Sequence, residues 1–236
     1  MTTTRSPFAR QRGFTLVELI IACAIVGVVL SGVLVMLSAA NVSYVTGTNQ
    51  ADAQSTVRAV LQRVTQEIRE AGYNPTAVPL CTPAPVPPAC IDPVVAATAT
   101  SFTIQNDRNS TGTIDAAITV LDALPWGNLQ RGERITYTVA GGVLQRQESG
   151  VDGAAQTVLV NVSQINAGGL QPYFQFLDAA GNVLATPIAN PSLNQSSIRT
   201  VVLNFQVGRQ QAGAAASWRD GNIQVTMSDR VRLRNR

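Results

Sequence analysis

Residues 10–30 read RQRGFTLVELIIACAIVGVVL, and one glutamate at the head of that apolar run, Glu18, decides how the chain is to be read. From Leu19 to Ala40 no charge appears, and 22 uncharged, mostly apolar residues are enough to span a bilayer as a helix. A charged side chain near the bilayer centre costs roughly 2.5–3.5 kcal/mol even on lenient insertion scales, so Glu18 needs a compensating partner. Upstream, Arg5, Arg10 and Arg12 sit on the N-terminal flank. By the positive-inside rule they place the N-terminus in the cytoplasm and the remainder outside.

Downstream, helical spacing continues past the membrane-length run. Val57, Val60, Leu61, Val64, Ile68 and Ala71 form one apolar stripe, with Arg58, Arg63, Gln66, Glu67, Arg69 and Glu70 assigned to the other faces. No proline occurs between Phe14 and Tyr73, and Gly72 followed by Pro75 supplies a stop signal. The expectation is one helix from about Phe14 to Ala71, reaching ~85 Å at the standard rise. Its first half is apolar all round and its second half is amphipathic. Gly27, Gly32 and Gly47 are its weak points.

Seven of the twelve prolines then fall between Pro75 and Pro93, around Cys81 and Cys90. Those two cysteines lack zinc-site spacing, and with no histidine in the chain a small-loop disulfide is the expected pairing, which implies an oxidising compartment. Cys23, inside the apolar run, reads as a packing residue. After the connector the period becomes two: SFTIQND, RITYTVAGGVLQR with a turn at Gly141–Gly142, TVLVNV, YFQFLDAAGNVL, IRTVVLNFQV and NIQVTM. Six or more mostly antiparallel strands, in one sheet or two, are expected to lie against the amphipathic half of the helix.

Composition narrows the chemistry. All 17 basic residues are arginine; the absence of His and Lys removes the common general base and the Ser-Lys dyad. Without residues 1–13, 14 arginines face 14 acids, and a neutral chain is a poor nucleic-acid binder. No cofactor is expected. An enzyme built on an acid pair such as Asp107 and Asp115 is the rival from another class.

Three accounts of the N-terminus compete on the residues alone: a secretory signal cut after Ala40, a retained signal anchor, or a cut at Gly13–Phe14. Only the third gives Glu18 a role. RGFTLVELIIACAIVGVVLSGV closely resembles the class III signal of type IV pilins and type II secretion pseudopilins. The resemblance implies cleavage between Gly13 and Phe14 by a prepilin peptidase on the cytoplasmic side and N-methylation of Phe14. It also implies pairing of Glu18 with the N-terminal amine of a neighbouring subunit.

VTQEIREAGYNP, IQNDRNSTG, LVNVSQI, YFQFLDAAGN and VRLRNR further resemble PilW-type minor pilins and the J-type minor pseudopilin. The implied fold is α+β and pilin-like, a long N-terminal helix packed on a mostly antiparallel β-sheet domain. Its expected parts are a leader (1–13), a transmembrane or filament-core helix (14–40), an amphipathic half (41–72), a disulfide-pinned connector (73–94) and a β-rich domain (95–236). The implied function is assembly of a type IV pilus, near its tip. Alternatives are a J-type subunit of a type II secretion system and a DNA-uptake or adhesion subunit. The implied partners are prepilin peptidase, other minor and major pilins or pseudopilins, and the bacterial inner membrane, with the C-terminal domain periplasmic and later at the surface or in a pseudopilus.

Two further patterns carry weaker expectations. DRNSTGTID places Asp107, Asn109, Thr111, Gly112, Ile114 and Asp115 at offsets resembling a calcium loop. Ile118 stands where the bidentate acid belongs, so an Asx-type turn is the stronger reading. Arg230, Arg232, Arg234 and Arg236 share one face of a strand, read first as the solvated face of an edge strand, then as a surface for DNA or for acidic partner subunits. Trp126 and Trp218 read as packing residues.

Overall fold

In the computed structural model, residues 13–77, 91–114, 119–124, 127–188, 197–209 and 223–234 are described. The leader before Gly13, Cys81, Cys90, Asp115, Trp126, Trp218 and Arg236 lie outside them. The chain divides into two compact units, one running through Thr48 and the other from Asn49 to Arg236.

Helix α1 spans Leu16–Glu70, 55 residues, within two residues of the expected bounds at each end. In the first unit its apolar side chains are exposed around the whole circumference, as expected of a segment whose solvent is not water. The helix runs on through Gly27, Gly32 and Gly47, whose Cβ positions are open. By length and composition it is able to cross a membrane.

In the second unit the amphipathic stripe is buried: Val57, Val60, Leu61, Val64, Ile68 and Ala71 all belong to the core. Glu67 is buried with them, which corrects its expected place on a solvent face. It stands three residues after Val64 and seven after Val60, so the helical period carries it into the stripe. Gly72, at φ 77°, ends the helix in the left-handed region and donates its amide to Gln105 O at 2.8 Å.

Among the described residues eleven strands follow: β1 (Val94–Val95), β2 (Ser101–Gln105), β3 (Thr119–Leu124), β4 (Gly127–Gly132), β5 (Arg134–Ala140), β6 (Val143–Glu148), β7 (Gln156–Val160), β8 (Val162–Ser163), β9 (Phe174–Leu177), β10 (Thr200–Arg209) and β11 (Ile223–Arg232). Every pairing among these strands is antiparallel. One sheet has the order β1-β2-β5-β6-β7; another runs β11-β10-β8, with β9 also pairing β10. The third is the β3-β4 ribbon, a sheet beyond the one or two expected. Each alternating segment seen in the sequence contains a strand, whereas β1, β3 and β4 had no clear period-two signal. Gly141 and Gly142 close the β5-β6 hairpin with φ of 57° and 75°, the positive pair a two-residue turn of this twist requires.

The stripe and the inward faces of both larger sheets share one core. Its centre is aromatic: Phe102 stacks on Tyr137 at 5.4 Å and meets Phe174 edge-on at 4.7 Å, and Phe174 meets Phe205 at 5.8 Å.

Candidate functional site: the N-terminal segment and a buried charge cluster

Gly13 and Phe14 precede α1, and Phe14 is 91% exposed. Glu18 lies in the first turn. Its Oε2 accepts from Thr15 N and from Thr15 Oγ1, both at 3.0 Å, while Glu18 N donates to Thr15 Oγ1 at 3.3 Å. This is a reciprocal capping box of the form Thr-x-x-Glu. It satisfies amides that a helix start leaves orphaned, and it sets the carboxylate at the positive end of the helix dipole. Part of the compensation that Glu18 needs therefore comes from its own chain. The signal was present in the sequence as Thr15 three residues before Glu18.

The second unit holds a cluster that sequence reasoning missed. Arg146, on β6, places its Nε 3.1 Å from both carboxylate oxygens of Glu67 on α1. Its Nη2 reaches Glu148 Oε2 at 2.6 Å, and its Nη1 lies 3.5 Å from Asp152 Oδ2. Tyr137 on β5 donates its hydroxyl to Glu67 Oε2. Gly132 donates its amide to Glu148 Oε1 at 2.7 Å, and a Cβ there would run into the Ser149 carbonyl. At the rim, Arg63 Nε lies 3.3 Å from Glu67 Oε1. One buried guanidinium thus binds carboxylates from the helix, from its own strand and from the following turn. The fork geometry of arginine suits this, and a lysine would not reproduce it.

Burial alone would lower the pKa of Arg146, but the hydrogen bonds and charges of Glu67 and Glu148 outweigh it and raise the value. Burial, then the adjacent Glu67 carboxylate, pushes the Tyr137 hydroxyl well above its usual range. The folded chain holds that proton more tightly than the unfolded chain, whose tyrosine ionises near ~10. The resulting stability is fully present below about pH 10 and is lost as pH rises through the folded value. With no lysine to titrate in that window, urea unfolding of the wild type should show a falling stability above about pH 10. Tyr137→Phe should flatten the fall and cost about 1–3 kcal/mol at neutral pH, because Glu67 loses a buried donor. An unchanged alkaline slope in the variant would refute this assignment.

Asp107 is fully buried. Its carboxylate accepts from Thr111 N at 3.1 Å, Gly112 N at 3.0 Å and Thr76 Oγ1 at 2.9 Å. Asn109 Oδ1 accepts from Thr111 N at 3.0 Å and Thr111 Oγ1 at 2.7 Å. The 107–113 loop thus has Asx-turn geometry and is tied to the end of α1, where Asp107 N donates to Tyr73 O at 2.8 Å. Among the described residues no group of three or more Cys, Asp or Glu stands close enough to hold a metal ion. Arg230, Arg232 and Arg234 are exposed, alternating with buried Val231 and Leu233 at the edge of the β11-β10-β8 sheet.

No curated protein matches the chain significantly. Among solved structures, a type IV-like pilin from Thermus thermophilus aligns over 77% of this chain and 95% of that one, at 13% identity and a TM-score of 0.40. The prokaryotic N-terminal methylation motif matches residues 8–34, which include Gly13, Phe14, Thr15, Glu18 and the start of the apolar run. The chain therefore carries, at the head of α1, the prepilin N-terminal methylation motif of the type IV pilin-like proteins.

Proposed function

We propose that this chain is a minor pilin of the PilW type that helps prime and assemble a type IV pilus and is no enzyme. It enters the inner membrane through the first part of α1, with the β-rich unit outside. It loses residues 1–13 to prepilin peptidase, is methylated at Phe14 and joins other pilins through its helix. The observation that carries this reading is the methylation motif over residues 8–34, which sets Glu18 in the first turn of an uninterrupted apolar helix. Arg5, Arg10 and Arg12 support the orientation. In the membrane the Glu18 carboxylate is held by Thr15; during assembly its charge takes the amine of an adjacent subunit as a second partner.

Two substitutions test this, because they separate capping from charge. Glu18→Ala removes both, whereas Glu18→Gln keeps a capping-box residue and removes only the charge. Both variants should be processed normally, and both should be depleted about tenfold or more from sheared filaments, a loss equivalent to roughly 1.4 kcal/mol of pairing. If Glu18→Gln assembles like the wild type, the charge has no part in assembly and the pairing role is wrong.

A further inference from the structure

The most distinctive unoccupied surface lies along β11, far in sequence from the methylation motif. Asn204 donates its amide to Tyr173 O and Gly208 donates to Asn161 O, so even-numbered residues of β10 turn their backbone groups away from β11. With Leu203 opposite Asp229 and Phe205 opposite Met227, the odd-numbered residues of β11 form the ladder with β10. Thr226, Ser228 and Arg230 then point their backbone groups outward. Arg230 bears this out, since its amide is taken at 2.8 Å by the Asp229 side chain rather than by β10. Among the described residues, no backbone group pairs with the outward amides and carbonyls of Thr226 and Ser228.

That edge borders a groove. Thr226, Met227, Ser228 and Asp229 line it in succession, together with Arg58, Thr65 and Arg69 of α1. Successive side chains of a strand alternate faces, so four in a row can border one groove only along the strand's edge. Arg58, Thr65 and Arg69 are spaced seven and four residues apart, along a single stripe of the helix. Neither Arg58 nor Arg69 has an ion pair among the described residues. The carboxylate of Asp229 is already engaged by Thr65 Oγ1 at 3.0 Å and by the Arg230 amide. The groove has a volume of about 550 Å³. Past Arg69 it adjoins a cleft of about 870 Å³ bordered by Arg234 and by Arg108, whose Nη2 is paired with Glu70 Oε2 at 3.4 Å.

We propose that this groove docks an extended acidic peptide segment of a partner protein, which adds to β11 as a further strand. Main-chain hydrogen bonds to Thr226 and Ser228 supply the pairing, and the arginines select for carboxylates. Arg58 and Arg69 lie three helical turns apart, about 16 Å. In an extended chain, side chains four or six residues apart share a face and stand roughly 13 or 20 Å apart, which brackets that distance, so acids at alternate positions come within reach of both long arginine side chains. An edge strand with free donors and acceptors is otherwise a liability, and a dedicated partner gives this one a use.

The test uses the full chain in detergent and fluorescence anisotropy of a labelled decapeptide of alternating Glu and Thr. It should bind, more weakly as salt rises. A decapeptide of alternating Glu and Pro carries the same charge but lacks half of the amide donors, and it should bind at least tenfold more weakly. Thr226→Pro removes an outward donor without touching the β10 ladder and should weaken the Glu-Thr peptide at least tenfold. If Thr226→Pro disturbs the fold by circular dichroism, the exposed pair Arg58→Glu/Arg69→Glu carries the test with the same expected loss. Three results would overturn the proposal. One is no binding at low salt. Another is equal binding of the Glu-Pro peptide. The third is displacement by a short DNA duplex that binds as tightly and is indifferent to Thr226→Pro, which would make the arginines a nucleic-acid surface.

Discussion

Arg146→Met should destabilise the β-rich unit by about 3–5 kcal/mol, the range seen when one partner is removed from a buried ion pair. The wild-type guanidinium sits within 3.5 Å of three carboxylates, those of Glu67, Glu148 and Asp152. Methionine fills much of the same volume, so the loss arises from charge rather than from a cavity. Domains of this kind have in total about 5–15 kcal/mol of stability, so the variant should accumulate poorly and unfold at markedly lower urea. Adding Glu67→Gln and Glu148→Gln to Arg146→Met removes two of the stranded charges and should restore a large part of the loss. Unfolding of the detergent-solubilised chain followed by circular dichroism measures both. If Arg146→Met alone costs under about 1 kcal/mol, the cluster behaves like a surface ion pair and does not anchor the helix to the sheet.

The residues of that cluster were legible in the sequence by phase, though not by type. The period-two alternation that turns Leu144 inward also turns Arg146 and Glu148 inward, and the alternation around Ile135 and Val139 turns Tyr137 inward. On α1 the apolar stripe includes the position of Glu67. Reading charge as solvent-facing overrode the period, whereas an acid and an arginine on faces that meet can be buried together. The helix, its stop at Gly72 and the Gly141–Gly142 hairpin were readable because local rules set them. The β3-β4 ribbon was not, since GNLQRG offers no alternating apolar pattern and depends on pairing with β3. At the N-terminus the motif was legible but its local chemistry was not. Thr15 was read as one letter of a signature, whereas it is the residue that holds Glu18.

Gly13→Val should abolish removal of the 13-residue leader, lowering processing by at least about 100-fold if the reacting bond is displaced by even ~1 Å. The structure separates this effect from folding. A Cβ on Gly13 meets no atom within 4 Å, and its backbone is outside the left-handed region, so nothing in the chain itself demands glycine there. A defect would then arise in the peptidase site, where a branched side chain stands next to the bond to be cut. Intact-mass measurement of the membrane-extracted protein reads the outcome: the wild type should begin at methylated Phe14, and Gly13→Val should retain residues 1–13. A variant cut and methylated normally would place the junction elsewhere and remove the basis for reading Phe14 as the mature N-terminus.

The hydrogen bond from Thr65 to Asp229 joins residues 164 positions apart, and it sets an order of events during synthesis. The ribosome delivers the stripe of Val57 to Ile68 first, while every strand that will cover it is still unmade. Val231 and Leu233, which share the same core, arrive almost last. Contacts of such long sequence separation form slowly. Until the first sheet and then β10 and β11 have been made, part of this stripe stays a sticky surface without its full cover. A nascent chain therefore passes through a long vulnerable interval, in which protection of that surface by a holding chaperone determines how much of it survives to fold.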